Sequence, residues 1–210
     1  MLKDGLQIVF AGDSTTDAGR TGGACGGMGD GYVRLVQYYL QAVYPQYTIG
    51  VVNAGVSGNT SRDLLARWDR DVMQIRPAPD VIFCMIGIND VWRQFDSVWL
   101  DKNQYVYEQE YEKNLCEMCE KSKDVPEFFM MSPFYMESVQ QDKMLVLTKR
   151  YAAISRRVAE KYGRKFIDTQ AAFDAYMRYR SGQTISWDRV HPFGCGTVIL
   201  QKCVIDALEG

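Results

Sequence analysis

The stretch Val9-Phe10-Ala11-Gly12-Asp13-Ser14-Thr15-Thr16-Asp17 decides the fold. The apolar run from Gln7 to Ala11 predicts a buried strand, and it breaks at once into Gly12, Asp13 and Ser14. Ser14 then stands just past the carboxyl end of that strand, where open parallel sheets gather their ligands. Such a serine proves little by itself, because turns and helix N-caps favour serine.

The weight comes from the far end of the chain. His191 is the only histidine in 210 residues, within Ser186-Trp187-Asp188-Arg189-Val190-His191-Pro192. A serine hydroxyl is a poor nucleophile at neutral pH and needs a base beside it, most often imidazole. If the chain is a serine hydrolase using histidine, His191 must be that base. Asp188, three residues earlier, can reach the second ring nitrogen within a tight turn. The bland alternative is a surface histidine capping a C-terminal helix.

Outward from Ser14, strand and helix signals alternate five times, with no linker, repeat or low-complexity tract. Ala18 to Gly31 holds seven glycines but no GxxxxGK[ST]. It reads as a flexible loop beside the site, with a phosphate cradle as the weaker alternative. Val33, Val36, Leu40 and Val43 mark one face of a helix over 32–44. Thr48 to Val52 predicts a second strand, leading into the turn Asn53 to Thr60, and Ser61 to Ile75 an amphipathic helix. Asp80 to Ile86 predicts a third strand, ending in Gly87-Ile88-Asn89-Asp90.

Val91 to Asn103 reads as a long loop carrying Trp92, Arg93, Phe95 and Trp99, suited to covering the sheet or lining a sugar site. Further on come a helix over 105–121, a strand over 128–131 and a long helix over 143–162. A short strand over 165–167, a helix from 169 with Thr169 as N-cap, and a last helix opened by Trp187 to His191 complete the chain. The fold class expected is α/β: a three-layer α/β/α sandwich around a five-stranded parallel sheet in the flavodoxin-like order 2-1-3-4-5, as one domain over 1–210.

In such a sheet, three strand ends bring Ser14, the Gly58 turn and Asn89 to one edge. Ester cleavage needs donors for the oxygen that becomes negative. The N–H groups of Ser14 and Gly58 and the amide of Asn89 are candidates, although singly Gly58 reads as a turn glycine and Asn89 as a cap. Ser57 is a rival nucleophile, ranked lower because no strand directly precedes it. The chain has no GxSxG, so an α/β-hydrolase elbow is not the basis of this reading.

Bulk composition narrows the partners. Apolar content of 47% and charged content of 24% are ordinary for a globular domain. A net charge of −2, with acids and bases interspersed, leaves no electrostatic footprint for nucleic acid. No apolar window is long enough to span a membrane. The start, Met1 to Gly5, carries an acid and lacks the apolar segment and cleavage site of an export signal, so a cytoplasmic location is expected. The six cysteines are expected as free thiols there. Cys116 and Cys119 have CxxC spacing mid-helix with no second ligand pair, which favours buried hydrophobes over a metal or redox site.

Gly12-Asp13-Ser14, the Gly58 turn, Gly87-x-Asn89-Asp90 and Asp188-x-x-His191 resemble, in order, the four blocks of the SGNH hydrolases, also called GDSL-type esterases. Thr15 replaces the leucine that follows the serine in the eponymous form. Longer stretches narrow the likeness: Val52-Asn53-x-Gly55-x-Ser57-Gly58-Asn59-Thr60, Ile86 to Gln94, Asp168 to Phe173 and Trp187 to Pro192 resemble the intracellular acetylxylan esterases of xylan-degrading bacteria. The resemblance implies Ser14 as nucleophile, His191 as base then acid, Asp188 as orienting carboxylate, and Ser14, Gly58 and Asn89 as the oxyanion hole. It implies removal of acetyl groups from small acetylated xylo-oligosaccharides, with no metal or cofactor.

Trp92, Arg93 and Trp187 are the candidates for substrate contact. Exposed aromatics point equally to a homo-oligomer interface. Alternatives are another short-chain acyl hydrolase, lipase- or thioesterase-like, a flavodoxin-like nucleotide-binding module, and a catalytically dead carbohydrate-binding relative.

Overall fold

The computed structural model describes residues 1–96 and 102–210. Five strands, β1 (Gln7–Gly12), β2 (Gly50–Gly55), β3 (Val81–Met85), β4 (Glu127–Met131) and β5 (Lys165–Ile167), form one sheet. Every neighbouring pair is parallel and the order is β2-β1-β3-β4-β5, as the sequence predicts.

Each of the three central strands is buried on both faces, which is why it reads as a near-continuous apolar run. Alternate residues feed different cores. Val9, Ala11, Ile82, Cys84, Phe128 and Met130 pack against α3 (Ser61–Ala66), α4 (Ile88–Asp96), α5 (Glu108–Lys121) and α6 (Lys143–Lys161). Ile8, Phe10, Phe83, Met85, Phe129 and Met131 pack against α2 (Tyr32–Val43), α7 (Thr169–Met177) and α8 (Cys195–Glu209). On this second face the registered trio Phe10, Phe83 and Phe129 stacks across three strands, with ring centroids 5.1 and 4.6 Å apart. Cross-strand aromatic pairs of this kind pin the register.

That register positions the site. Gly12 pairs with Gly55 on one side and with Met85 on the other, so three strands end level. β1 leads directly into a one-turn helix, α1 (Ser14–Asp17), whose N-cap Asp13 accepts the Thr15 N–H at 3.0 Å. The turn after β2 carries Gly58, and α4 follows β3 at once with Asn89 in its first turn.

Several local expectations are corrected. β2 begins and ends later than Thr48 to Val52, because pairing with β1 sets its span at Gly50–Gly55. Residues 61–75 form α3 and then a separate wide turn over Asp69–Met73, in which Gln74 N–H reaches back to Asp69 O. The expected loop from Val91 is helical up to Asp96; Ile88 and Val91 lie buried one turn apart against the first core. Trp99 lies outside the described residues. Asp168, not Thr169, caps α7 by accepting the Ala171 N–H, and the Thr169 hydroxyl instead donates to Ser132 O. The last helix starts at Cys195, since Arg189 and Gly194 adopt positive φ and Pro192 lies between them. Trp187 to His191 is therefore a loop ahead of the helix.

Candidate active site

Ser14 opens α1, and its Oγ lies 2.8 Å from His191 Nε2, across a separation of 177 residues. The opposite ring nitrogen, His191 Nδ1, is 2.5 Å from Asp188 Oδ2. The second carboxylate oxygen, Oδ1, accepts the N–H of Val190 at 2.9 Å, the N–H of His191 at 2.8 Å and the hydroxyl of Ser186 at 3.0 Å. Burial pushes the Asp188 carboxyl up, but the hydrogen bonds from His191 and Val190 outweigh it and hold the group below the usual carboxylate range. An ionised Asp188 fixes the proton on Nδ1, which leaves Nε2 as acceptor for the Ser14 hydroxyl.

Acid and base share one loop because Arg189 adopts a left-handed conformation, with φ of 68°. That kink turns the following two N–H groups back onto Asp188. The loop is held from outside as well: Met136 N–H donates to Arg189 O at 2.8 Å, and the Arg189 guanidinium lies 2.8 Å from Glu137 Oε2.

The other two candidate donors follow β2 and β3, the neighbours of the strand that leads to Ser14. Gly58 takes φ of +81°, and its N–H has no acceptor among the described residues. Asn89 Nδ2 donates to Asn59 O at 2.9 Å, which turns the nitrogen end of the amide towards the Gly58 turn. The rival Ser57 is committed elsewhere: its hydroxyl donates to Asp17 Oδ2 at 2.5 Å and its N–H to the same oxygen at 3.0 Å.

Of the candidates for substrate contact, Trp92 is half-buried with its ring centroid 5.9 Å from that of His191. Arg93 reaches over Gly58 and lines with it, Thr60, Arg62, Asp63 and Gln104 a cavity of about 280 Å³. Trp187 is 78% exposed.

A profile of the GDSL-like lipase/acylhydrolase family matches residues 10–193, from the first strand through the Asp188–His191 loop. The chain belongs to this family. Within the GDSL-like acylhydrolases it is similar to an acetylxylan esterase of Geobacillus stearothermophilus, 43% identical over 209 residues that cover 97% of this chain and 94% of that one. The crystal structure of the G. stearothermophilus acetylxylan esterase Axe2 superposes with a TM-score of 0.92 at 41% identity, covering 99% and 95% of the two chains. LAE5, an α/β hydrolase enzyme from a Lake Arreo metagenome, matches with a TM-score of 0.93 at 38% identity, covering 99% and 97%.

Three residues of this acylhydrolase chain were not assigned from sequence yet hold the candidate site in shape. Ser186 donates to Asp188, Asp17 anchors Ser57 next to Gly58, and Arg67 reaches Asn59 on the other side of that glycine. Asp17 had one usable signal: three residues after Ser14, it lies on the same helical turn. Ser186 and Arg67 act through contacts that no local pattern announces.

Proposed function

We propose that this protein is a serine esterase that removes acetyl groups from acetylated xylo-oligosaccharides through an acetyl-serine intermediate. The observation that carries the chemistry is the relay Ser14 Oγ, His191 Nε2, His191 Nδ1 and Asp188 Oδ2, with contacts of 2.8 and 2.5 Å. The substrate rests on the 43% identity to an acetylxylan esterase. Support also comes from three solved variants of Axe2, described as catalytic mutants, in which a serine, an aspartate and a histidine are each replaced by alanine.

In this reading Ser14 Oγ attacks the acetyl carbonyl carbon while His191 Nε2 takes its proton. The carbonyl oxygen becomes an oxyanion held by the Ser14 and Gly58 N–H groups and the Asn89 amide. The tetrahedral species collapses, His191 returns the proton to the departing sugar oxygen, and acetyl-Ser14 remains. Water, deprotonated by His191, then attacks the acetyl carbonyl; the second tetrahedral species expels Ser14 Oγ, which regains its proton from His191 as acetate is released. Asp188 stays ionised throughout and steadies the imidazolium.

Trp92, beside the His191 ring, and Arg93, over Gly58, are the proposed sugar contacts, with the exposed Trp187 as a third. A cytoplasmic setting is favoured by six cysteines that are all free thiols. Exposed Trp187, Tyr179 and Phe193 favour a homo-oligomer, which light scattering after gel filtration checks.

The deciding experiment measures acetate released from acetylated xylo-oligosaccharides beside acetylated pectin and chitin fragments. Faster release from the xylo-oligosaccharides is expected. Release favouring either other polymer refutes the substrate, and a preference for long-chain p-nitrophenyl esters over the acetate favours a lipase-like acyl hydrolase.

A further inference from the structure

Arg67, the residue that ends α3, is buried with four acceptors around its guanidinium. Nε donates to Asn59 Oδ1 at 2.6 Å, Nη2 to Gly12 O at 2.9 Å, and Nη1 to both Ala54 O at 2.8 Å and Asp71 Oδ2 at 3.2 Å. Gly12 closes the strand that leads to Ser14, and Ala54 lies at the end of β2. A buried charge is retained only where it is fully hydrogen-bonded, and a planar fork with five donors can span backbone and side-chain acceptors together.

The Asn59 contact is the one with chemical reach. Asn59 follows Gly58 directly, and its carbonyl accepts the Asn89 Nδ2 hydrogen bond at 2.9 Å. A carbonyl can only accept, so it decides which end of the Asn89 amide faces it and where the second N–H points. The position of that carbonyl depends in turn on the Asn59 side chain, which Arg67 grips. The opposite flank of Gly58 is held separately, by Asp17 on Ser57.

We propose that Arg67 is a positioning residue of the oxyanion site: through Asn59 it orients the Asn89 amide and fixes the turn bearing the Gly58 N–H. This rests on the reading of Asn89 and Gly58 as oxyanion donors given above. Arg67 touches no reacting atom; its effect passes through Asn59.

The test compares kcat and KM for p-nitrophenyl acetate in wild type, Arg67→Lys, Asn89→Ala and the double variant, with Tm measured for each. Asn89→Ala loses an oxyanion donor and is expected to lower kcat by roughly 10²-fold. Lysine keeps the charge but cannot span the four acceptors. Arg67→Lys is expected to lower kcat by about tenfold, with KM within about twofold, because small misplacements of catalytic donors are costly. In the Asn89→Ala background the lysine should cost at most about threefold, since the Asn89 share of its effect is gone and only the Gly58 turn remains to be held.

Wild-type kcat in Arg67→Lys with a lowered Tm would show a purely structural role and overturn the proposal. Fully multiplicative losses would overturn it too. If Arg67→Lys does not fold, Asn59→Ala takes its place: it removes the Oδ1 acceptor while Arg67 keeps Gly12, Ala54 and Asp71. A loss of kcat that fails to add to Asn89→Ala supports the proposal, and wild-type kcat sinks it. If Asn89→Ala itself retains wild-type kcat, the oxyanion reading fails first and visibly, and Arg67 falls with it.

Discussion

Replacing Asp188 by asparagine should be more damaging than its small size suggests, and the surrounding donors say why. Asp188 Oδ1 faces three donors, the N–H groups of Val190 and His191 and the Ser186 hydroxyl. In Asp188→Asn the amide oxygen must occupy that position, because an NH₂ there would oppose three hydrogens at once. The NH₂ is thereby driven against His191 Nδ1, 2.5 Å from the original Oδ2. The ring answers by taking the other tautomer, with its proton on Nε2 directed at Ser14. A protonated Nε2 cannot accept the serine proton. The equivalent wrong-tautomer change in serine proteases lowers kcat about 10⁴-fold, or about 5 kcal/mol of transition-state stabilisation. The same order is expected here, with folding intact since the three donors keep their acceptor. Initial rates on p-nitrophenyl acetate give the loss. Because His191 is the only histidine, its two ring nitrogens give a single, unambiguous pair of signals in a nitrogen-15 NMR spectrum, which reads the tautomer directly. A loss below tenfold, or a proton still on Nδ1, would refute this account of Asp188.

Ser14→Ala and His191→Ala should each lower kcat by about 10³-fold or more, and the double variant little further, since triad members act as a unit; near-normal ester hydrolysis by either pure single variant would disprove the assignment. Gly55→Ala would put a Cβ 2.2 Å from Asp17 N, in the backbone of the helix that carries Ser14. It should cost about 1–3 kcal/mol of stability together with a fall in kcat, and an unchanged Tm would mean that α1 does not pack this closely on Gly55. Burial raises the Asp90 carboxyl to about 7, with the Ser61 hydroxyl and N–H only partly opposing it. The folded form then binds a proton that the unfolded chain releases near its ordinary carboxylate value, so this group's contribution to stability is full at acid pH and is lost as pH rises through about 7. Asp90→Asn should flatten the decline in Tm between pH 5 and pH 8; an unaltered slope would remove Asp90 as its source.

The parallel sheet, its order and the meeting of Ser14 with His191 were legible because each strand is a buried apolar run that ends in small polar residues. A lone histidine left one imidazole to set against Ser14. Less legible were elements governed by long-range contacts. α4 was hidden because Gly87 to Asp90 reads as a turn, yet burial of Ile88 and Val91 against the first core continues it as helix. The start of the last helix was misplaced because Asp188 to His191 folds back on itself through hydrogen bonds to one carboxylate, which no periodicity encodes. Arg67 falls within the stretch that reads as an amphipathic helix, where nothing in the pattern singles it out. Its buried position follows from the strand-end carbonyls it meets, known only once β1 and β2 lie side by side.

Keeping Asp188 and His191 on one kinked loop divides the Ser14–His191–Asp188 contacts into a fixed half and a single joint. The Asp188–His191 half carries its own hydrogen bonds, so a sway of the whole loop leaves the imidazole electronically the same. Only the gap to the serine alters. Substitutions at Arg189 or Glu137, which hold the loop from outside, should therefore act on the Ser14–His191 separation and leave the Asp188–His191 contact as it is.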